Sequence, residues 1–246
     1  MTDRSETRDI KDILLAADSI NKLQDELRRT TAGLGILFVD LVGSTELKHK
    51  VSQDEWLPIV ARFLFIVSGV IQEHGGAVVK YIGDEVMGVF TETDRGICSV
   101  NMEACLWNIE ENLRRLTPRS LAKYSFDYGE AADIHFEGFP RDYLGSAVDR
   151  CARIARLAKR GTAVASEAYV HQSKNPKSWR RISNAALRGF PDKEVIYQLH
   201  GLGDEISSDD ILAAVSNPAN LMHQVKDLNE RLARCMEELK VQQRRF

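Results

Sequence analysis

Cysteine is scarce in this chain, charge of either sign is not in excess, and long apolar runs are missing. The 246 residues include four cysteines, at positions 98, 105, 151 and 235, and no two of them form a Cys-x-x-Cys pair. That spacing excludes a zinc ribbon and a disulfide framework, and it predicts reduced, buried thiols. Lys and Arg number 33 against 36 Asp and Glu, a net charge of −3. Bulk charge therefore points to neither a nucleic-acid partner nor an anionic membrane surface. No apolar stretch reaches the roughly 18 residues that a membrane helix needs. The longest candidate, Ile59 to Ile71, is broken by Arg62, Ser68 and Gly69. The N-terminal MTDRSETRDIKD carries both charge signs and has no apolar core, so it does not read as a signal peptide, and the expected compartment is the cytoplasm. The six histidines, at 49, 74, 135, 171, 200 and 223, show neither His-x-x-x-His nor His-Glu-x-x-His spacing.

What is present is the composition of an ordinary folded protein, with 43% hydrophobic and 28% charged residues. The length suits one domain with extensions, or two small ones. Residues 7–29 read as an amphipathic helix, with Ile10, Ile13, Ala17, Ile20 and Leu27 on one stripe. Residues 34–41, LGILFVDL, read as a strand buried on both faces, with Asp40 as its anomaly. A helix over 54–73 ends at His74-Gly75-Gly76. The runs Ala77–Ile82 and Glu85–Thr91 are separated only by Gly83-Asp84, a strong hairpin signal. A helix over 97–115 follows, then strands at Tyr124–Tyr128 and 132–137. A helix over Gly145–Lys159 has Val148, Cys151, Ala152, Ala155 and Leu157 as its apolar positions and is closed by Gly161. Strands are expected at Thr162–Ser166, Arg180–Leu187 and Glu194–Leu199. This order gives an α+β domain with helices over one sheet. We expect an N-terminal helical extension over 1–31, the main domain over 32–200, and a linker with an amphipathic helix over 201–246. In the tail, Leu221, Val225, Leu228, Leu232, Cys235 and Leu239 form a heptad seam. That seam suits either a short coiled coil or a helix packed on its own domain.

Two aspartates carry the chemical signal. Asp40 and Asp84 interrupt apolar strand ends, where an unpaired carboxylate is costly. Two such oxygen donors suit a hard cation, Mg²⁺ or Mn²⁺, which keeps its remaining positions for water and phosphate. Asp40 is followed by Leu41-Val42-Gly43-Ser44-Thr45 and then helical sequence. A glycine that lets the backbone approach closely, followed by Ser and Thr at a helix start, suits phosphate.

The strings F38-V-D40-L-V-G43-S-T45, K80-Y-I-G83-D84, D142-Y-L-G145-S-A-V148-D149-R-C-A-R153 and L187-R188-G189 occur in this order. Together they resemble the class III nucleotide cyclases, over roughly residues 32–200. The resemblance implies a ferredoxin-like, palm-type domain whose central, mostly antiparallel sheet is covered by helices. It implies conversion of a nucleoside triphosphate to a 3′,5′-cyclic monophosphate and pyrophosphate. Two divalent ions, Mn²⁺ or Mg²⁺, are implied at Asp40, Asp84 and the Leu41 carbonyl. Substrate contacts are implied for Phe38, Gly43, Ser44 and Thr45. Arg153 matches the arginine that stabilises the transition state, and Arg188 stands where the family usually has a phosphate-binding lysine. Lys80 and Asp142 match the pair that selects the base.

A lysine donor beside a carboxylate acceptor fits adenine, uracil and cytosine alike, and it disfavours guanine. Asp149 stands where the family usually has a ribose-holding asparagine. An amide both donates and accepts, whereas a carboxylate only accepts. Within the family the chain resembles the Pycsar pyrimidine cyclases of bacterial antiphage defence. This points to UTP as the favoured substrate, with cyclic UMP as a messenger for a separate effector; CTP and ATP are the alternatives. A homologue that binds nucleotide without turnover is the other reading, and Asp149 favours it. The family's homodimers draw the metal aspartates from one subunit and the remaining site residues from the other. A head-to-tail homodimer with composite sites is therefore implied, with neither nucleic acid nor membrane as partner.

Overall fold

The computed structural model describes residues 20–91, 95–117, 120–135 and 140–202. Helix α1 (Ile20–Thr30) runs without a loop into strand β1 (Thr31–Leu41). Then come α2 (Ser44–Lys50), α3 (Gln53–Glu73), the hairpin β2 (Ala77–Ile82) and β3 (Glu85–Phe90), and α4 (Arg95–Arg114). The second half is β4 (Ala122–Ile134), β5 (Asp142–Leu144), α5 (Ser146–Ile154), β6 (Ala163–Ser166), α6 (Glu167–Val170), β7 (Trp179–Ala186) and β8 (Lys193–Leu199). One sheet holds all eight strands, in the order β2-β3-β1-β4-β6-β8-β7 with β5 paired to β4. Only the β4–β6 pair is parallel, and α5 lies in the crossover between those two strands.

The apolar run in β1 is continuous because the strand is covered on both faces. Leu37, Val39 and Leu41 join a core with α3 and α4. Leu34, Ile36 and Phe38 join a second core with Ala147, Val148 and Cys151 of α5. Two carboxylates fasten α4 from within. Glu103 accepts hydrogen bonds from Ser173 (2.6 Å) and the Trp179 indole (3.2 Å), and Glu110 accepts from Ser120 (2.6 Å) and Tyr124 (2.7 Å). The α3 N-terminus is closed reciprocally by Ser52 and Glu55, whose carboxylate accepts from the Ser52 amide at 2.9 Å.

The α+β class, the hairpin and the order of elements agree with the sequence reading. Three details differ. The strand expected at 124–128 and the start of the one expected at 132–137 form one strand, ending at Ile134, because β4 pairs with β1 in unbroken register from Ala122↔Leu41 to Ala132↔Thr31. The helix expected over 145–159 gives way after Ile154 to a 3₁₀ turn, Ala155–Leu157. Leu157, expected to face inward, is 40% exposed as a result. Strand β5 and helix α6 were not expected; at three and four residues they are too short to show a period. Cys98, Cys105 and Cys151 are buried, as expected. Residues 1–19, which hold the first part of the expected N-terminal helix, and the tail with its seam and Cys235 lie outside the described residues. Among the described residues no helix is long and apolar enough to cross a membrane.

The motif glycine Gly145 is required by close approach. A Cβ there would lie 2.6 Å from the Glu130 carbonyl oxygen and 2.9 Å from the Ala131 Cα, both main-chain atoms. A Cβ on Gly69, inside α3, would meet nothing within 4 Å. We therefore expect Gly145→Ala to cost about 1–3 kcal/mol by forcing α5 off β4. Gly69→Ala should instead add about 0.5–1 kcal/mol. Urea titration of both variants checks the contrast.

Candidate active site

Asp40 sits one residue from the end of β1, between two register partners, Lys123 on β4 and Glu85 on β3. This rung is the charged end of a sheet face whose next residues inward, Phe38, Ser125 and Met87, are buried. Lys123 Nζ lies 2.7 Å from Asp40 Oδ2. Asp84 forms the β2–β3 turn after Gly83, whose φ of 68° places it in the left-handed region. The hairpin folds back beside β1 and brings Asp84 within hydrogen-bonding reach of Asp40. Lys48 of α2 donates to Asp84 Oδ1 at 2.8 Å, and the buried Ser44 hydroxyl also bonds the Asp84 carboxylate.

Burial raises the Asp40 carboxyl above its ordinary range, the neighbouring Asp84 adds to this, and Lys123 only partly opposes it. For Asp84 burial also pushes upward, but hydrogen bonds from Lys48, Ser44 and Asp40 outweigh it and hold the group low. Glu85 is pushed up to about 7, by burial first and then by Asp40.

These groups open onto a cleft of about 860 Å³. Asp40, Asp84, Lys123 and the segment from Leu41 to Glu46 line it together with Lys159, Arg160 and Thr162, and Arg160 reaches Glu46 at 3.4 Å. Gly43 has φ 75° and ψ 10°, a turn that glycine makes without strain, and it starts α2. Leu41 lines the cleft while its side chain is 2% exposed in the core, so it turns its main chain to the cleft. Two carboxylates and a peptide carbonyl are hard oxygen donors. Among the described residues no third His, Cys, Asp or Glu completes a protein-only metal cage. That donor set fits Mg²⁺ or Mn²⁺ completed by water and phosphate.

The remaining predicted residues lie elsewhere, on several elements. Lys80 on β2 donates to both oxygens of Asp142 on β5, at 2.8 and 2.6 Å. Asp149 is exposed and Arg153 half-buried on α5, and Arg188 is exposed in the β7–β8 turn. None of these five lines the cleft at Asp40. Phe38 is 2% exposed and enclosed in the α5-side core, which leaves only its main chain to offer a ligand.

Sequence reasoning missed the cationic half of the cleft. Lys123 faces Asp40 only through strand register, which no local signal reports. Lys48 lies one helical turn after Ser44 and was open to inference. It also missed Asp127. This aspartate is fully buried and is gripped by Arg150 through two bonds of 2.8 Å, by the Ser166 hydroxyl at 2.6 Å and by the Tyr128 amide at 2.7 Å. A lone Asp in the run Tyr-Ser-Phe-Asp-Tyr was a legible anomaly of the same kind as Asp40. The pair ties α5, and with it Asp149 and Arg153, to the central strand.

Removing one partner of such a pair strands the other charge, so Arg150→Met should cost about 3–5 kcal/mol in a urea titration. The Glu85 carboxyl sets a pH dependence. Its ordinary value is 4.5 and its folded value about 7, so between these the folded state binds more protons than the unfolded one. Stability then falls as pH rises through that window. With metal chelated, the melting temperature of the native protein should decline relative to Glu85→Gln between pH 4.5 and 7, and parallel curves would contradict this.

No protein-family model matches the chain. It is 25% identical over 152 residues to a uridylate cyclase of Burkholderia cepacia, an alignment covering 54% of this chain and 63% of that protein. The chain thus spans less than two thirds of that curated relative. In fold it is similar to the adenylyl cyclase CyaB of P. aeruginosa, with a TM-score of 0.58 at 17% identity, covering 72% of this chain and 96% of that one. It is also similar to a bacterial light-regulated adenylyl cyclase, with a TM-score of 0.61 at 16% identity, covering 88% and 71%. Together with the strand order, these likenesses show that the chain shares the fold of those adenylyl cyclase structures.

Proposed function

We propose that the protein is a nucleotide cyclase that converts UTP to 3′,5′-cyclic UMP and pyrophosphate. The observation that carries the cyclase reading is the juxtaposition of Asp40 and Asp84 beside the Gly43–Thr45 turn, in a cleft that Lys123, Lys159 and Arg160 also line. Bound there, Mg²⁺ or Mn²⁺ supplies charge neutralisation at the triphosphate and a lowered pKa for the ribose 3′-hydroxyl. Asp40, Asp84 and the Leu41 carbonyl hold the ions, and Gly43, Ser44 and Thr45 offer main-chain and hydroxyl groups to phosphate. The 3′-oxygen attacks the α-phosphorus and pyrophosphate leaves. Arg153 presents a guanidinium to the charge that develops on the phosphate, and Arg188 holds the terminal phosphates.

Lys80 and Asp142 select the base. Lys80 donates to uracil O4 and Asp142 accepts from N3–H, which also fits the mutual pairing of their charged tips. The choice of UTP over CTP and ATP rests on the Burkholderia cepacia relative and on the likeness to the Pycsar cyclases. In that role cyclic UMP is the messenger to a separate antiphage effector. Asp149 accepts a ribose hydroxyl.

The five residues outside the cleft fit a head-to-tail homodimer. One protomer supplies Asp40 and Asp84, and its partner supplies the base-selecting pair, Asp149, Arg153 and Arg188. Tyr81, Ile82 and Leu144, 54%, 50% and 59% exposed, flank Lys80 and Asp142 in sequence and give that interface apolar area.

Incubation with ATP, GTP, CTP and UTP and Mn²⁺, followed by mass spectrometry, should yield cyclic UMP as the main product. Cyclic AMP would replace the pyrimidine reading with an adenylyl cyclase, and metal-dependent binding without pyrophosphate release would indicate a homologue that has lost turnover. Asp40→Ala and Arg153→Ala should each abolish activity, and their equimolar mixture should regain part of it. No recovery despite measured subunit exchange would exclude the composite site.

A further inference from the structure

Both carboxylates of the cleft are already matched with ammonium groups, but the two lysines differ in kind. Lys123 projects from the middle of the sheet, as the direct register partner of Asp40. Lys48 comes from the seven-residue helix α2, and its ammonium lies between two partners. It is 2.8 Å from Asp84 Oδ1 and 5.4 Å from the centroid of the Trp56 ring. The Lys48 side chain is 31% exposed against 16% for Asp84, so the lysine has a way out to water and the carboxylate has less. A divalent cation on Asp84 would meet a positive charge within hydrogen-bonding distance of its own ligand, and the two cannot share that oxygen without strong repulsion. Trp56 gives the ammonium a second favourable contact, which holds it at the carboxylate.

We propose that Lys48 is a built-in counter-ion for Asp84 that competes with the divalent metal. The nucleotide-free protein then holds metal weakly, and metal enters with a triphosphate whose negative charge offsets the lysine. This rests on the reading of Asp40 and Asp84 as metal ligands.

The test uses the full-length, nucleotide-free protein and Mn²⁺ alone. Free Mn²⁺ is followed by electron paramagnetic resonance, and tryptophan emission is recorded in parallel. Lys48→Met keeps the apolar stem and removes the charge; it should bind Mn²⁺ tighter than the native protein by up to roughly fivefold, as expected for loss of a partly exposed ion pair. Lys48→Arg keeps the charge and should bind no tighter than the native protein. Mn²⁺ should change the tryptophan emission of the native protein as the ammonium leaves the ring, and that change should vanish in Trp56→Phe and in Lys48→Met. Equal or weaker Mn²⁺ binding by Lys48→Met, with binding still lost in Asp84→Asn, would overturn the counter-ion proposal and leave the metal site standing. Absence of Mn²⁺ binding in the native protein and in Lys48→Met would overturn both. The Lys48 effect in a protein that cyclises none of the four nucleotides would uphold the counter-ion role and remove the cyclase reading.

Discussion

The structure depends most on the pairing of β1 with β4. Eleven consecutive residues of β1 face eleven of β4, from Thr31↔Ala132 to Leu41↔Ala122. Side chains alternate across a strand, so this register fixes which β1 residues serve each core. It sends Leu37, Val39 and Leu41 toward α3 and α4, and Phe38 and Asp40 to the opposite face. A slip of one residue would place Asp40 in the larger core and Leu41 where the carboxylate belongs. The same register sets Lys123 beside Asp40. The placing of Asp40 and Lys123 in the cleft is therefore a consequence of sheet pairing.

From that pairing the electrostatics follow. A carboxylate on an otherwise apolar strand needs a partner of opposite sign; Lys123 of β4 serves Asp40, and Lys48 of α2 serves the like-charged Asp84 of the β2–β3 turn. Asp127 is the interior counterpart. It lies four residues past Lys123 on the same strand face, so one edge-to-core line of β4 answers first a cleft and then a helix. Arg150 converts that line into a fixed seat for α5. The two halves of the proposed catalytic apparatus are thus organised by one strand, although they open onto different parts of the surface.

Much of this was legible in the sequence because the key residues break local patterns. Asp40 violates a fully apolar strand, Gly83-Asp84 punctuates two strand-like runs, and the family motifs align Arg153 and Lys80. The unread parts are non-local. Lys123 looks like any lysine until β4 is registered against β1. The span 122–134 reads as two strands because Gly129-Glu130 resembles a break, and only the continuous ladder with β1 overrides it. Helix α5 ends early because the chain must tighten to reach Gly161, where φ is 65°, and re-enter the sheet as β6.

Under the proposed role of Lys80 and Asp142, their double hydrogen bond has a consequence for how a base would be chosen. The proposed recognition pair is not an open socket; each tip already holds the other. A base gains nothing from touching one tip alone, because parting the two tips leaves the other unmatched. Only a ring edge that presents an acceptor and a donor side by side closes both ends of the broken contact. In that role discrimination would work as a threshold set by the protein against itself, with no steric clash needed.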